Sequence, residues 1–199
     1  MTDPATRNRL RRDLRAQRRL LTASQQKLAA QRLSKQVETL RQFRISQRVA
    51  LYLPNDGEID PVPLILRLWQ SGKTCYLPIL SRLRHDRLWF APYYPDTALI
   101  YNRLGILEPT VSAQQRMRAQ DLDLILMPLV AFDSAGNRLG MGGGFYDKSL
   151  AFLRNRRLWH KPRLIGLAHE FQRIKKIEAN DWDVPLQAVA TDQRIYRFE

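Results

Sequence analysis

Met127 to Asp147 reads MPLVAFDSAGNRLGMGGGFYD, an apolar run that opens into five glycines among nine positions and closes on an aspartate. Leu124 to Val130 predict a buried strand and Tyr146 to Arg154 a helix, so Gly136, Gly140 and Gly142 to Gly144 fall in a strand-to-helix loop at a sheet edge. Such a loop suits an anion. Glycine lets successive N–H groups converge without side-chain obstruction, and the following helix presents its positive end.

The spacing excludes the common nucleotide loops. A Walker A loop needs GxxxxGK followed by Ser or Thr, and a dinucleotide fingerprint needs GxGxxG, whereas Gly140 and Gly142 are followed by Phe145 where the third glycine belongs. Three adjacent glycines also suit a plain surface turn. The flanking residues favour a phosphate site: Arg138 carries a fork of donors, and Asp147, within a helical turn of the loop, is a hard oxygen ligand suited to magnesium.

Outward from this stretch, helices and strands alternate. Thr22 with Gln25 forms a capping box for a helix through Leu28, Leu33, Val37 and Leu40. Arg48 to Leu53 predict a strand, Asn55-Asp56-Gly57 a turn, and Asp60 the cap of a helix with Pro61 at its first position that ends at Gly72. Strands follow at Thr74 to Ile79 and Leu88 to Tyr93, then a long irregular stretch through Pro109, then strands at Arg163 to Ala168 and near Ala188 and Arg194. This alternation implies an α/β class: a single three-layer α/β/α domain over residues 1–199, with a mainly parallel sheet covered on both faces and a basic N-terminal helix.

In such a sheet ligands sit beyond the carboxyl ends of the strands, where the loops after Leu53 and Val130 both emerge. Glu58, in the turn after the first strand, is either an exposed loop carboxylate or an acceptor for a ligand. Leu53, at the strand end, is most simply core. Asp183, between Trp182 and Val184 in an apolar stretch, is costly to bury unless it meets a cation or a donor. His85, His160 and His169 lack metal-ligand spacing and have no cysteine near them, which argues against zinc. His169 with Glu170 lies on the loop's edge and either lines the pocket or forms a satisfied polar pair. Trp89, Tyr93 and Tyr94 stack on a ring ligand or fill the core.

The segment AFDSAGNRLGMGGGFYD resembles the signature of the 5-formyltetrahydrofolate cyclo-ligase family, the methenyltetrahydrofolate synthetases: approximately AFD, two or three residues, G, x, RLG, x, G, x, G, aromatic, Tyr-Asp. Arg7-x-x-Leu10-Arg11 resembles that family's basic-x-x-Leu-Arg helix, and Tyr52 to Asp60, YLPNDGEID, its substrate-contacting strand and turn. Gly105 to Pro109, GILEP, recurs in order, and Trp182 to Leu186 before Thr191-Asp192 resembles the C-terminal aspartate motif. The resemblance spans nearly the whole chain.

It implies ATP- and Mg2+-dependent closure of 5-formyltetrahydrofolate to 5,10-methenyltetrahydrofolate with release of ADP and phosphate. It assigns ATP to Arg7, Arg11, Arg138, Leu139, Gly140, Met141, Gly142, Gly143, Gly144, Phe145 and Tyr146. The folate falls to Leu53, Glu58, Met141, Gly142, Gly143, Gly144 and Phe145, with Glu58 accepting from the pterin ring. Arg138 and Asp147 are the implied catalytic residues, and Asp147 with Asp183 the implied magnesium ligands. Met141 and Gly143 depart from relatives that carry basic residues there, which leaves phosphate contact to backbone donors and Arg138. Arg7 stands where lysine is frequent, keeping the charge but altering its geometry.

The implied chemistry needs no covalent nucleophile. An N-formyl oxygen leaves poorly, so the γ-phosphoryl passes to it, N10 attacks the activated carbon, and phosphate departs. Such transfer asks for alignment and charge neutralisation, in keeping with a chain that has no evident Ser-His-Asp or Cys-His set.

Composition agrees. At 199 residues and 44% hydrophobic, the chain supports one compact domain with a substantial core. No apolar stretch approaches the ~20 residues that span a bilayer, and the basic N-terminus lacks a signal peptide's apolar core, so a cytoplasmic protein is expected. Cys75, the single cysteine, excludes an internal disulfide and sits in an apolar run as a small buried hydrophobe. Residues 1–48 hold 13 Lys or Arg and 3 Asp or Glu, a net +10 of the total +14. On a helix, Arg7, Arg11, Arg15 and Arg18 share one face while Leu10, Leu14 and Leu21 form a docking stripe. That face is solvated, or it binds a polyanion: nucleic acid or the ribosome surface, or a nucleotide triphosphate with a folate glutamate tail.

Other classes give rival readings. A basic RNA- or ribosome-associated binding module fits the charge, but the chain carries no recognised RNA-binding signature, and nucleic acid is not expected. A sugar-phosphate isomerase or acyl-CoA-type enzyme on a related sheet has no use for ATP, and a non-catalytic folate binder is narrower still. The folate reading expects a monomer with a small-molecule substrate, with or without a polyglutamate tail, and no membrane partner.

Overall fold

The computed structural model describes residues 4–81, 87–155, 161–180 and 182–198, so His85 and His160 lie outside the described residues. Two helices, α1 (Pro4–Arg19) and α2 (Ala23–Glu38), precede a short α3 (Arg41–Ile45) and the first strand, β1 (Arg48–Ala50). Next come α4 (Val62–Gln70), β2 (Thr74–Leu80), β3 (Leu88–Tyr93) and a hairpin of β4 (Leu99–Tyr101) with β5 (Leu107–Pro109). The second half runs β6 (Leu124–Pro128), β7 (Ala131–Phe132), β8 (Arg138–Leu139), α5 (Phe145–Leu150), β9 (Arg163–Ala168), β10 (Ala188–Thr191) and β11 (Ile195–Arg197).

The seven-stranded sheet has the order β11-β10-β9-β6-β1-β2-β3. From β2 to β10 all neighbours are parallel, and β3 and β11 close the two edges antiparallel, as expected of a mainly parallel sheet. Alternation along each strand feeds two cores. Val49, Leu124, Leu126, Ile165 and Leu167 face the layer of α2 and α4, with Leu33, Val37, Leu64 and Leu68. Ala50, Ile125, Met127, Leu164 and Val189 face the other side, with Leu150 of α5, Phe132 and Leu186. Burial on both faces is why β6 reads as an unbroken apolar run. No helix among the described residues is long and apolar enough to cross a membrane.

The structure changes several expectations near the site. The strand at Leu124 does not lead straight into the glycine loop: β6 stops at Pro128, and β7 and β8 form an antiparallel hairpin before it. Asp133 builds the turn, its carboxylate accepting from Ala135 N at 2.9 Å, Asn137 N at 3.0 Å and Ile177 N at 2.8 Å. Gly136 belongs to that turn, packed on Phe198, and is separated from Gly140 to Gly144. After Leu150 the predicted helix tightens into a 3-10 turn over Ala151–Asn155. The first ladder ends at Ala50, because Pro54 has no N–H to extend it and the chain turns at Asn55. Asp60 lies one residue before the cap of α4: Pro61 is the capping residue rather than the first helical one, and the Asp60 carboxylate accepts from Val62 N at 2.8 Å.

Candidate active site

α1 lies on the loop that follows β6, with Leu10 and Leu14 packed against Val130, Ala131, Leu139 and Ile177. Its predicted basic face turns inward. Arg7 donates to the Glu178 carbonyl at 3.3 Å and stands 3.7 Å from Asp183. Arg11 Nε donates to the Gly140 carbonyl at 2.8 Å, and partial burial followed by the charge of Arg7 lowers its pKa. Arg15 Nε and Arg18 Nη2 reach Asp56 at 2.6 and 3.1 Å, joined by Arg19 Nε. The spacing that places these guanidinium groups on one face therefore spends them on the protein, which removes that face as a ready nucleic-acid surface.

The glycine loop starts where Arg11 holds it. Gly142 and Gly144 have φ of 104° and 66°, a left-handed backbone that side chains resist, and Gly144 is the N-cap of α5. Gly142, Gly143, Gly144 and Asp147 line a cleft of about 540 Å3 with Arg87, Lys148, Ala151, Arg154 and Trp182. Sequence reasoning gave no role to Arg87, Lys148, Arg154 or Trp182. A signal for Arg154 is present, since Asp147, Ala151 and Arg154 follow the i, i+4, i+7 spacing of one helix face.

Arg138, Asp147 and Asp183 come together beneath this cleft. The Arg138 side chain is 5% exposed, and its two terminal nitrogens donate to the Val184 carbonyl and to Asp147 Oδ1. Burial lowers the Arg138 pKa, and the charges of Asp147 and Asp183 oppose that. Asp147 also accepts from Val184 N at 3.4 Å, while Asp183 accepts from Asn180 N at 2.9 Å. The donor that a buried Asp183 requires is thus a main-chain N–H with Arg7 beside it. No cluster of three or more His, Cys, Asp or Glu side chains forms a metal cage among the described residues. Asp147 and Asp183 both act on the Arg138 charge, and both are hard oxygen donors of the type magnesium takes.

Glu58 is mostly buried in the turn that follows β1, against α1. Its side chain is 11% exposed, Arg18 Nη1 is 3.9 Å away, and it accepts from Asn55 N at 3.2 Å. Burial pushes its pKa up to about 7 against the pull of Arg18. Burial also raises the hydroxyl pKa values of Tyr52 and Tyr146, and in both the charge of Glu58 adds to the rise. Arg138 acts on Tyr146 in the opposite sense, lowering its pKa against the rise. Leu53 is half-buried against the α2 and α4 core, and Met141 is exposed.

Of the weaker candidates, Trp89, Tyr93 and His169 resolve into packing, while Tyr94 is exposed. Trp69 donates to the Tyr93 carbonyl at 2.8 Å and its ring lies 5.3 Å from that of Tyr93; Trp89 sits under Arg118. His169 is 2% exposed and stacked on Phe171, with burial lowering its pKa to about 4. Glu170 accepts from Thr191 and Tyr196.

A model of the 5-formyltetrahydrofolate cyclo-ligase family matches residues 3–192. The chain belongs to that family. The 5-formyltetrahydrofolate cyclo-ligase of Escherichia coli (strain K12) is 38% identical over 185 residues, 93% of this chain and 100% of that one. The cyclo-ligase of Haemophilus influenzae is 40% identical over 180 residues, 90% and 94% of the two chains. Among solved structures, the Aquifex aeolicus 5,10-methenyltetrahydrofolate synthetase superposes with a TM-score of 0.80 at 28% identity, covering 97% of this chain and 93% of that one. The segments that resemble cyclo-ligase motifs meet around α1: Arg11 on the glycine loop, Arg7 beside Asp183, and Arg15 and Arg18 on the turn of Glu58.

Proposed function

We propose that the protein is a cytoplasmic, monomeric 5-formyltetrahydrofolate cyclo-ligase, residues 1–199 acting as one domain, that spends ATP to make 5,10-methenyltetrahydrofolate. The observation that carries this reading is the family match over residues 3–192 together with Arg11 closing on Gly140 beside the left-handed Gly142 and Gly144. N–H groups of Gly142 to Tyr146 receive the terminal phosphates, with Arg7 and Arg11 supplying positive charge from α1. Glu58, poised between its two protonation states near pH 7, hydrogen-bonds the pterin ring, with Leu53, Met141 and Phe145 against the folate. Tyr146 feels the charge of both Glu58 and Arg138, which supports a formyl oxygen held beside a γ-phosphate.

The reaction then runs in two steps. The formyl oxygen attacks the γ-phosphorus and its bond to ADP breaks; N10 attacks the formyl carbon, sheds its proton, and phosphate leaves with the oxygen. Asp147 and Asp183 would hold magnesium, which when bound neutralises phosphate charge. Arg138 keeps Asp147 in place rather than meeting phosphate first, since its terminal nitrogens are committed. The substrate is the reduced folate, with or without a polyglutamate tail. Protein mixed with magnesium, ATP and 5-formyltetrahydrofolate should develop the near-ultraviolet band of the methenyl product. A folded preparation that gives no band refutes the proposal.

A further inference from the structure

The turn that carries Glu58 is held in an unusual way. Asp56 is the single non-glycine residue with positive φ, 52°, among the described residues, and Gly57 follows at 73°. Glu58 N donates to the Asn55 carbonyl at 3.0 Å, which makes Asn55 to Glu58 a tight turn with both central residues left-handed. Asp-Gly is a preferred pair for such a turn, so the backbone shape is local, but the place of the turn depends on what fixes the aspartate. Here three guanidinium groups from α1 do so: Arg15 and Arg18 at 2.6 and 3.1 Å, and Arg19. Gly57 is pressed on the same helix, where a Cβ would lie 2.9 Å from the backbone carbon and oxygen of Arg18, and its carbonyl accepts from Gln26 Nε2 of α2 at 3.1 Å.

We propose that Asp56 is a positioning residue for the substrate contact of Glu58, locking the turn to α1 so that the Glu58 carboxyl is held at a fixed place for the folate. This rests on the reading that Glu58 contacts the folate. Arg18 links the two carboxylates, since its side chain is fully buried, Nη2 is bound to Asp56, and Nη1 has no hydrogen-bond partner and lies 3.9 Å from Glu58. The other groups around Glu58 are Arg15 of α1, Tyr52 after β1 and Tyr146 of α5. The helix that fixes this turn also carries Arg11 and Arg7, about 10 and 16 Å from Arg18 along its axis. One rigid element therefore sets the distance between the phosphate end and the pterin end.

Asp56→Asn keeps the shape and the left-handed tolerance while removing the charge. It should raise KM for 5-formyltetrahydrofolate about tenfold and leave kcat and KM for ATP within about twofold. Glu58→Gln alone should raise the folate KM about as much, and the double variant should exceed the larger single effect by less than about twofold. An unchanged folate KM in Asp56→Asn, equal rises in both KM values, or multiplying effects in the double variant would overturn the proposal. A silent Glu58→Gln would instead remove the substrate contact beneath it. If Asp56→Asn does not fold, Arg15→Gln, at a partly exposed partner, should raise the folate KM about threefold and spare that for ATP, and no change there counts against Asp56 as well.

Discussion

Arg138 donates through a terminal nitrogen to the carboxylate of Asp147, so two residues that the sequence assigns separately to phosphate and to metal are each other's partner. The pairing is directional. Arg138 is pinned on its other side by the Val184 carbonyl, which fixes Asp147 in the first turn of α5 at the cleft wall. The arginine thereby organises the anionic end of the site from behind.

This changes what Asp147→Ala should do. Sequence alone makes it a loss of turnover with little cost to folding, but removing Asp147 strands a buried guanidinium. We expect turnover to fall at least about a hundredfold and stability by roughly 3 kcal/mol. Urea unfolding checks it: Arg138→Met added to Asp147→Ala should recover at least about half the lost stability.

Gly142→Ala tests the loop. With φ of 104° and a Cβ 3.6 Å from the Arg11 guanidinium, the position refuses a side chain for backbone reasons more than for lack of room. The ATP dissociation constant, measured by calorimetry, should rise about tenfold or more while the thermal midpoint drops by only a few degrees. ATP binding as tight as in the parent would contradict the phosphate site.

Glu58 gives the protein a pH signature. A carboxyl whose native pKa is about 7 against an ordinary 4.5 keeps its proton longer in the folded state, so stability is full below about pH 4.5 and declines as pH rises through 7. The loss is on the order of 2–3 kcal/mol. Glu58→Gln should flatten it, which denaturation at pH 5 and pH 8 would reveal as a smaller difference than in the parent.

Asp183→Asn isolates the second carboxylate. The amide oxygen still accepts from Asn180 N, so the local turn survives, while one hard anionic ligand is lost. The magnesium concentration at half-maximal rate should rise about tenfold, and thermal stability should hardly move. An unaltered magnesium titration removes Asp183 from the metal.

Much of the fold is written in local pattern. Thr22 and Gln25 make the capping box that their spacing predicts, and the apolar runs at Cys75, Ile125 and Leu164 are strands buried on both faces. The face of Arg7, Arg11, Arg15 and Arg18 is legible from helical periodicity, but its direction is not, because what it faces is distant in sequence: Glu178, Asp183, Gly140 and Asp56. The β7–β8 hairpin escapes prediction for a related reason. Two-residue strands carry no periodic signal, and Asp133 closes the turn partly by reaching Ile177. Glu58 looks like a surface carboxylate until Arg18 is seen packed against its turn.

The attachment of α1 has a consequence for handling and for physiology. Only Leu14 and Arg18 of its described residues are buried, so beside the Leu10 and Leu14 contact this helix is fastened by the charges of Arg7, Arg11, Arg15 and Arg19. Coulombic fastenings of partly exposed groups are screened over about 10 Å at 0.1 M electrolyte, whereas the sheet beneath is indifferent to it. Ionic strength should therefore loosen α1 from the glycine loop and from the turn of Glu58 well before it disturbs the rest of the molecule, and a change of buffer would be felt first as weaker substrate capture.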